Sequence, residues 1–129
     1  MLGTADATPM IAVKDLDRAK RFYADKLGLK ALDQMGDEVV SMRSGSTAID
    51  VYRSEFAGTN KATALTFNVG DINAEVRELK DMGVTFEHYD MEGLTRDGDI
   101  YTAEGMKTAW FKDPDGNILS LIESGQGSK

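Results

Sequence analysis

The chain has 129 residues, 41% of them hydrophobic, and its 22 acidic and 15 basic residues give a formal net charge of −7. That is apolar sequence for one domain with a moderate core, and no apolar run approaches the ~20 residues a bilayer-spanning helix needs. An acidic surface repels phosphate backbones, so nucleic acid is not an expected partner, and the lack of cysteine removes disulfides and thiolate metal sites. Met1 to Ala7 has neither a basic n-region nor an apolar h-region. No signal peptide is therefore expected, the expected location is cytoplasmic, and the expected partner is a small molecule or a second copy of the chain.

In chain order, "MIAV" reads as a strand and "KDLDRAKRFYADKLGLK" as a helix. Asp15 is its expected cap, because a carboxylate there accepts from an orphan backbone N–H. Leu16, Ala19, Phe22, Tyr23 and Leu27 form its apolar stripe, and Gly28 is its stop. Three short strands follow, "KALDQM", "EVVSMR" and "TAIDVYR", separated by turns at Gly36-Asp37 and Gly45-Ser46. Residues 54 to 62, "SEFAGTNKA", read as a linker.

The same grammar then returns. "ALTFNV" is a strand and "GDINAEVRELKDMG" a helix, with Asp71 as cap, Ile72, Val76, Leu79 and Met82 as stripe, and Gly83 as stop. "VTFEHY", "TAWFK" and "ILSLIE" are the expected strands after it, with a further one near Ile100 to Thr102 inside the irregular "DMEGLTRDGDIYTAEGM". The chain thus reads as one domain of two similar halves, about 8–53 and 63–123, each strand–helix–strand–strand–strand. The tail 124–129 is expected to be flexible.

With "DLDRAKRFYADKLGL" near its start and "FKDPDGNILSLIE" near its end, the chain resembles the vicinal oxygen chelate superfamily, which includes glyoxalase I, extradiol dioxygenases and bleomycin-resistance proteins. "EFAGTN", "YDMEGL" and "AWFKDPDGN" are similar to a bacterial, single-domain subgroup of it. The resemblance implies an α+β fold in which two βαβββ modules curl into an incomplete mixed barrel around a cavity, and it implies a homodimer. It says little about chemistry, because the superfamily spans isomerases, dioxygenases, transferases and binding proteins.

In metal-dependent members four His, Glu or Gln ligands project into the cavity, from positions that correspond here to Thr8, Asp50, Ala64 and Ser120. Only Asp50 is a good ligand for a divalent cation; Ala64 cannot ligate, and hydroxyls are weak neutral donors. The neighbours Ala7, Pro9, Thr63 and Leu65 would not repair the set, and the one histidine, His88, lies outside it. No metal and no cofactor is therefore expected, and the glyoxalase and extradiol reactions, which need that metal, are not expected either.

Strand alternation places Met10, Ala12, Ala48, Tyr52, Thr66, Asn68, Thr108, Trp110, Ile118 and Ile122 on the same face as those four positions. Ile11, Val13, Ile49, Val51, Leu65, Phe67, Val69, Ala109, Phe111, Leu119 and Leu121 fall on the other face, a wholly apolar set suited to lie under the helices. The mixed face suits a small ligand, with Trp110 and Tyr52 stacking on a flat ring and Asp50, Thr66, Asn68 and Ser120 orienting it. Against this, Trp110 and Tyr52 read equally as core, and Thr66 and Ser120 as solvated wall.

Asp50 reads either as a general base or cation partner, or as an ion-pair partner of Arg43 or Arg53. His88 reads as a structural surface residue or as an acid–base group. The segment from Tyr89 through Met91 into "EGLTRDGD" reads as a lid or as an ordinary connection.

Three functions follow. The first is metal-free binding and sequestration of an aromatic or cationic compound. The second is a lyase or isomerase using Asp50 or His88. The third is a dimeric scaffold or regulator whose own side chains fill the cavity.

Overall fold

The computed structural model describes residues 1–90 and 92–123; Met91 and the tail 124–129, expected to be flexible, lie outside them. The chain divides into two compact units, Met1–Thr59 and Asn60–Lys129, so the division falls inside the expected linker.

The first unit begins with β1 (Met10–Val13), α1 (Leu16–Lys20), and a continuation of the helix over Arg21–Lys26. It ends with β2 (Lys30–Met35), β3 (Val39–Ser44) and β4 (Thr47–Arg53). The sheet order is β1-β4-β3-β2, with β1 parallel to β4 and the other pairs antiparallel. A parallel pair needs a crossover, and the helix supplies it.

Asp15 caps α1 by accepting from the Arg18 N–H at 3.2 Å. Beyond Lys20 the winding widens: the Leu27 N–H reaches five residues back to the Phe22 carbonyl at 3.0 Å. The adjacent Phe22 and Tyr23 are both buried in this stretch, their rings edge to face at 5.2 Å. Gly28, at φ +84°, takes the left-handed turn that ends it.

The second unit repeats the plan with β5 (Thr63–Asn68), α2 (Ile72–Asp81), β6 (Phe86–Glu87), β9 (Met106–Lys112) and β10 (Ile118–Glu123). Between β6 and β9 it inserts a hairpin of β7 (Thr95–Asp97) and β8 (Ile100–Ala103). The order is β5-β10-β9-β8-β7, with β6 also paired to β9 and β5 parallel to β10. The expected strand "VTFEHY" is cut to Phe86 and Glu87, because β8 takes the rest of that edge of β9. Asp71 caps α2 by accepting from the Ala74 N–H at 3.2 Å, and Glu123 of β10 accepts from the Ile72 N–H at 2.8 Å. The helix start is thereby tied to a strand it packs on.

Alternation decides what each sheet buries. In the first unit Ile11, Val13, Val40, Met42, Ile49 and Val51 are buried together with Leu16, Ala19, Phe22 and Tyr23, while Met10 is 53% exposed. In the second, Ala109, Phe111, Leu119 and Leu121 are buried, as are Ile72, Val76 and Leu79 of α2, which packs on β9 and β10. Each fully buried large apolar side chain contributes about 1.5–3 kcal/mol. Two mixed sheets, each crossed by one helix, make the protein α+β, as expected. No helix among the described residues is long and apolar enough to cross a membrane.

Candidate functional site

The face of the second sheet turned away from α2 carries most of the polar candidates. Strand register puts Thr66, Ser120 and Trp110 in one row across β5, β10 and β9, and Asn68, Ile122 and Thr108 in the next. Ser120, on the strand between β5 and β9, is only 4% exposed, and its hydroxyl lies 2.7 Å from that of Thr66. A buried hydroxyl needs such a partner. The Thr108 hydroxyl donates to the Leu121 carbonyl at 2.9 Å.

Trp110 is half-buried and held from three sides. Its indole N–H donates to the Thr63 hydroxyl at 3.2 Å. Tyr101 and Tyr89 meet it edge to face, with ring centres 5.1 and 5.7 Å away. Simple alternation would have put Thr63 on the helix side, but pairing shifts between Ile118, opposite Thr63, and Leu119, opposite Leu65. Ala64 is the extra residue of this bulge, which re-aims Thr63.

Tyr101, 2% exposed, pairs with Thr108 and so shares the face of Trp110. Its hydroxyl accepts from the Tyr89 N–H and donates to the Tyr89 carbonyl at 3.0 Å. Neither Tyr101 nor Thr63 is among the ligand residues the sequence suggested, and Tyr89 was singled out there only as the start of a segment read as a lid or an ordinary connection. The signals were there for Tyr101: Gly98-Asp99 and Glu104-Gly105 are two-residue hairpin turns, and the second puts Tyr101 opposite Thr108.

The Tyr89 hydroxyl is buried with no hydrogen-bond partner among the described residues. An unpaired buried polar group costs about 1–3 kcal/mol. Burial, then the Glu87 carboxylate and the Tyr101 phenol, push Tyr89 above the ordinary tyrosine value, so it is a neutral donor at neutral pH. Glu87 is the cross-strand partner of Trp110, with the Lys112 ammonium 4.0 Å from its carboxylate.

Asp50 and Tyr52 belong to the first unit. They share one face of β4, opposite Ser41 and Val39. Asp50 is half-buried and accepts from the Ser41 hydroxyl at 2.6 Å. The ion-pair alternative with Arg53 does not hold, because Arg53 donates instead to Glu38 at 2.6 Å; Arg43 sits opposite Ala48, on the residue pair next but one to Asp50. Thr8 precedes β1 and is exposed. A cleft of about 370 Å³ on this unit is lined by Lys14, Glu38, Arg53, Ser54 and Glu55, and includes none of the candidates.

His88 stands apart from the Trp110 face. Its Nε2 lies 2.8 Å from an Asp99 oxygen, whose other oxygen accepts from Lys80 of α2 at 2.7 Å. Its Nδ1 lies 3.3 Å from the Arg96 guanidinium. Arginine only donates and a carboxylate only accepts, so Nε2 carries the proton and Nδ1 accepts. Both ring nitrogens are engaged, and the network ties β7 and the β7–β8 turn to the end of α2.

The donors do not fit a resident transition metal. Asp50 is one carboxylate already bonded to Ser41, Ser120 and Thr66 satisfy each other, and among the described residues no three His, Cys, Asp or Glu side chains converge.

Comparison with known proteins agrees with this architecture. No curated protein matches the chain at a significant level. Among solved structures, a glyoxalase family protein from Enterococcus faecalis is similar at 24% identity and TM-score 0.72, over 95% of this chain and 100% of that one. A lactoylglutathione lyase from Agrobacterium tumefaciens is similar at 17% identity and TM-score 0.69, over 93% of both chains. An antibiotic-binding protein from a Streptomyces species is similar at 21% identity and TM-score 0.64, over 92% of this chain and 95% of that one. At such identities the likeness is one of fold. The sequence model of one family matches residues 7–121, nearly the whole length, and with two units of the same strand–helix–strand plan beneath that match, the chain belongs to the Glyoxalase/Bleomycin resistance protein/Dioxygenase superfamily.

Proposed function

We propose that this protein is a metal-free binding protein for a small, flat aromatic molecule, which it holds on the Trp110 face of the second sheet. The observation that carries the reading is the mounting of Trp110. A half-buried indole, fixed through its N–H and braced edge-on by two tyrosines, is a rigid apolar platform with little side-chain entropy left to lose on binding. Thr66 and Ser120 in its own row, and Asn68 in the next, supply polar atoms that orient a guest. Asp50 and Tyr52, which share one face of β4, are proposed as ligand contacts within the first unit. The likeness to an antibiotic-binding protein supports the reading at the level of fold alone. The donor set, poor in imidazole and carboxylate, favours sequestration over metal-assisted turnover.

Calorimetric titration of planar aromatic compounds into the wild type and a Trp110→Leu variant tests this. Loss of the ring contact is expected to weaken binding by at least about tenfold. Elemental analysis of protein purified without chelator, followed by titration with Zn, Ni, Mn and Fe(II), is expected to give no stoichiometric metal. Unchanged affinity in the variant, or one equivalent of bound metal, would contradict the reading.

A further inference from the structure

The groups that mount Trp110 are already engaged: the indole N–H with Thr63, the Tyr101 hydroxyl with both backbone groups of Tyr89, and the Thr66 and Ser120 hydroxyls with each other. The Tyr89 hydroxyl differs. It is buried, lacks a partner among the described residues, and belongs to a ring packed against the indole. Regular pairing of β6 stops at Glu87, so beyond His88 the Tyr89 backbone is held by its two bonds to Tyr101. The ring is thus anchored at its backbone while its polar end stays unsatisfied.

We propose that Tyr89 is the specificity-determining residue of this face, its phenol donating a hydrogen bond to an acceptor oxygen on the edge of a planar aromatic ligand that lies against Trp110. This rests on the reading of the Trp110 face as a ligand site, and it narrows the ligand class from any flat ring to a fused aromatic bearing a ring carbonyl. A site with an unpaired buried donor discriminates against a guest that cannot accept from it, since that guest leaves the donor unpaired. Burial, and after it the Glu87 carboxylate opposite Trp110, keep the phenol protonated, which is the form this role requires.

Two bicyclic probes of similar shape make the test: coumarin, which carries a ring carbonyl, and naphthalene, which has no acceptor. Both are titrated by calorimetry into the wild type and into Tyr89→Phe, which keeps the ring against Trp110 and removes only the hydroxyl. The wild type is expected to bind coumarin about tenfold more tightly than naphthalene, the worth of one hydrogen bond. In Tyr89→Phe that preference should vanish while naphthalene affinity stays unchanged. The variant should melt no lower than the wild type, because the lost hydroxyl had no partner.

A preference for coumarin that survives in Tyr89→Phe, or equal binding of both probes by the wild type, overturns the role of Tyr89 and leaves the ligand-site reading standing on naphthalene binding. A markedly lower melting temperature for the variant makes the hydroxyl structural and also overturns the role. If neither probe binds the wild type at millimolar concentration, the ligand-site reading and this inference fall together.

Discussion

Ser120 occupies the place where the family resemblance implies a metal-holding glutamate, and its surroundings explain how a serine serves there. It sits on β10 between Thr66 and Trp110, buried, with its hydroxyl satisfied by Thr66. Asp99 shows the opposite balance, a charged group kept charged. The Lys80 ammonium, foremost, and the His88 imidazole hold its carboxyl below the ordinary aspartate value, against the opposing effect of burial. A depressed folded-state pKa stabilises the fold fully above the unfolded value of about 4, and that stabilisation is lost as pH falls through the folded value. Asp99→Asn is therefore expected to be less stable than the wild type at pH 7, with the difference shrinking toward pH 3; urea denaturation at both pH values measures it, and a difference independent of pH would contradict the assignment. The pairing of Asp99 with His88 was not legible in the sequence, because the two are brought together by a hairpin whose first strand the sequence pattern hides. The Ser41 partner of Asp50 was missed for a related reason: charge made Arg43 and Arg53 the obvious candidates, and strand register gave the neighbour directly opposite instead.

Among the elements, those with local signals were read correctly. Asp15 and Asp71 cap their helices, and Gly28 and Gly83 end them at φ +84° and +93°, because capping and left-handed turns depend on a few adjacent residues. Period-two alternation likewise put Ile11, Val13, Ile49, Val51, Ala109, Phe111, Leu119 and Leu121 on a buried face, but it did not anticipate that Ser120 and Tyr101, on the other face of the second sheet, are buried too. What failed was what depends on a neighbour. The length of β6 is set by competition with β8 for one edge of β9, and the facing of Thr63 by a bulge against β10. The π-type widening after Lys20 also lacks a sequence signal.

The β8–β9 turn carries a local conflict. Glu104 is held at φ +49°, followed by Gly105 at +81°, a two-residue hairpin turn in which asparagine is favoured at the first position. Glu104→Asn is expected to raise stability by roughly 0.5–1 kcal/mol by relieving the left-handed strain of a long side chain. Thermal unfolding checks this, and a lower melting temperature would show that Glu104 makes a compensating contact.

At the scale of the whole molecule, one plan written twice accounts for both units, and the second departs from the first chiefly by the inserted hairpin and the short β6 beside it. The first unit leaves Met10, Leu32, Met35 and Phe56 in solvent, Met35 at 72% and Phe56 at 69% exposure. Large apolar side chains left exposed in this way favour association, and we propose that the protein is a homodimer through the first unit. Sedimentation equilibrium is expected to return a dimer that Phe56→Ser and Met35→Lys weaken; a strict monomer at high concentration would contradict it. The surface stays acidic at −7 overall, which suits a neutral guest better than a phosphate-rich one.

The central claim is that Trp110 is a ligand platform. As the only tryptophan, it gives one indole N–H resonance in a ¹⁵N–¹H correlation spectrum. On titration with coumarin or naphthalene the account predicts a saturable displacement of that single resonance, accompanied by the amides of Tyr89 and Tyr101, while those of β2 stay in place. An indole resonance that does not move at saturating probe, or shifts confined to the first unit, would contradict it.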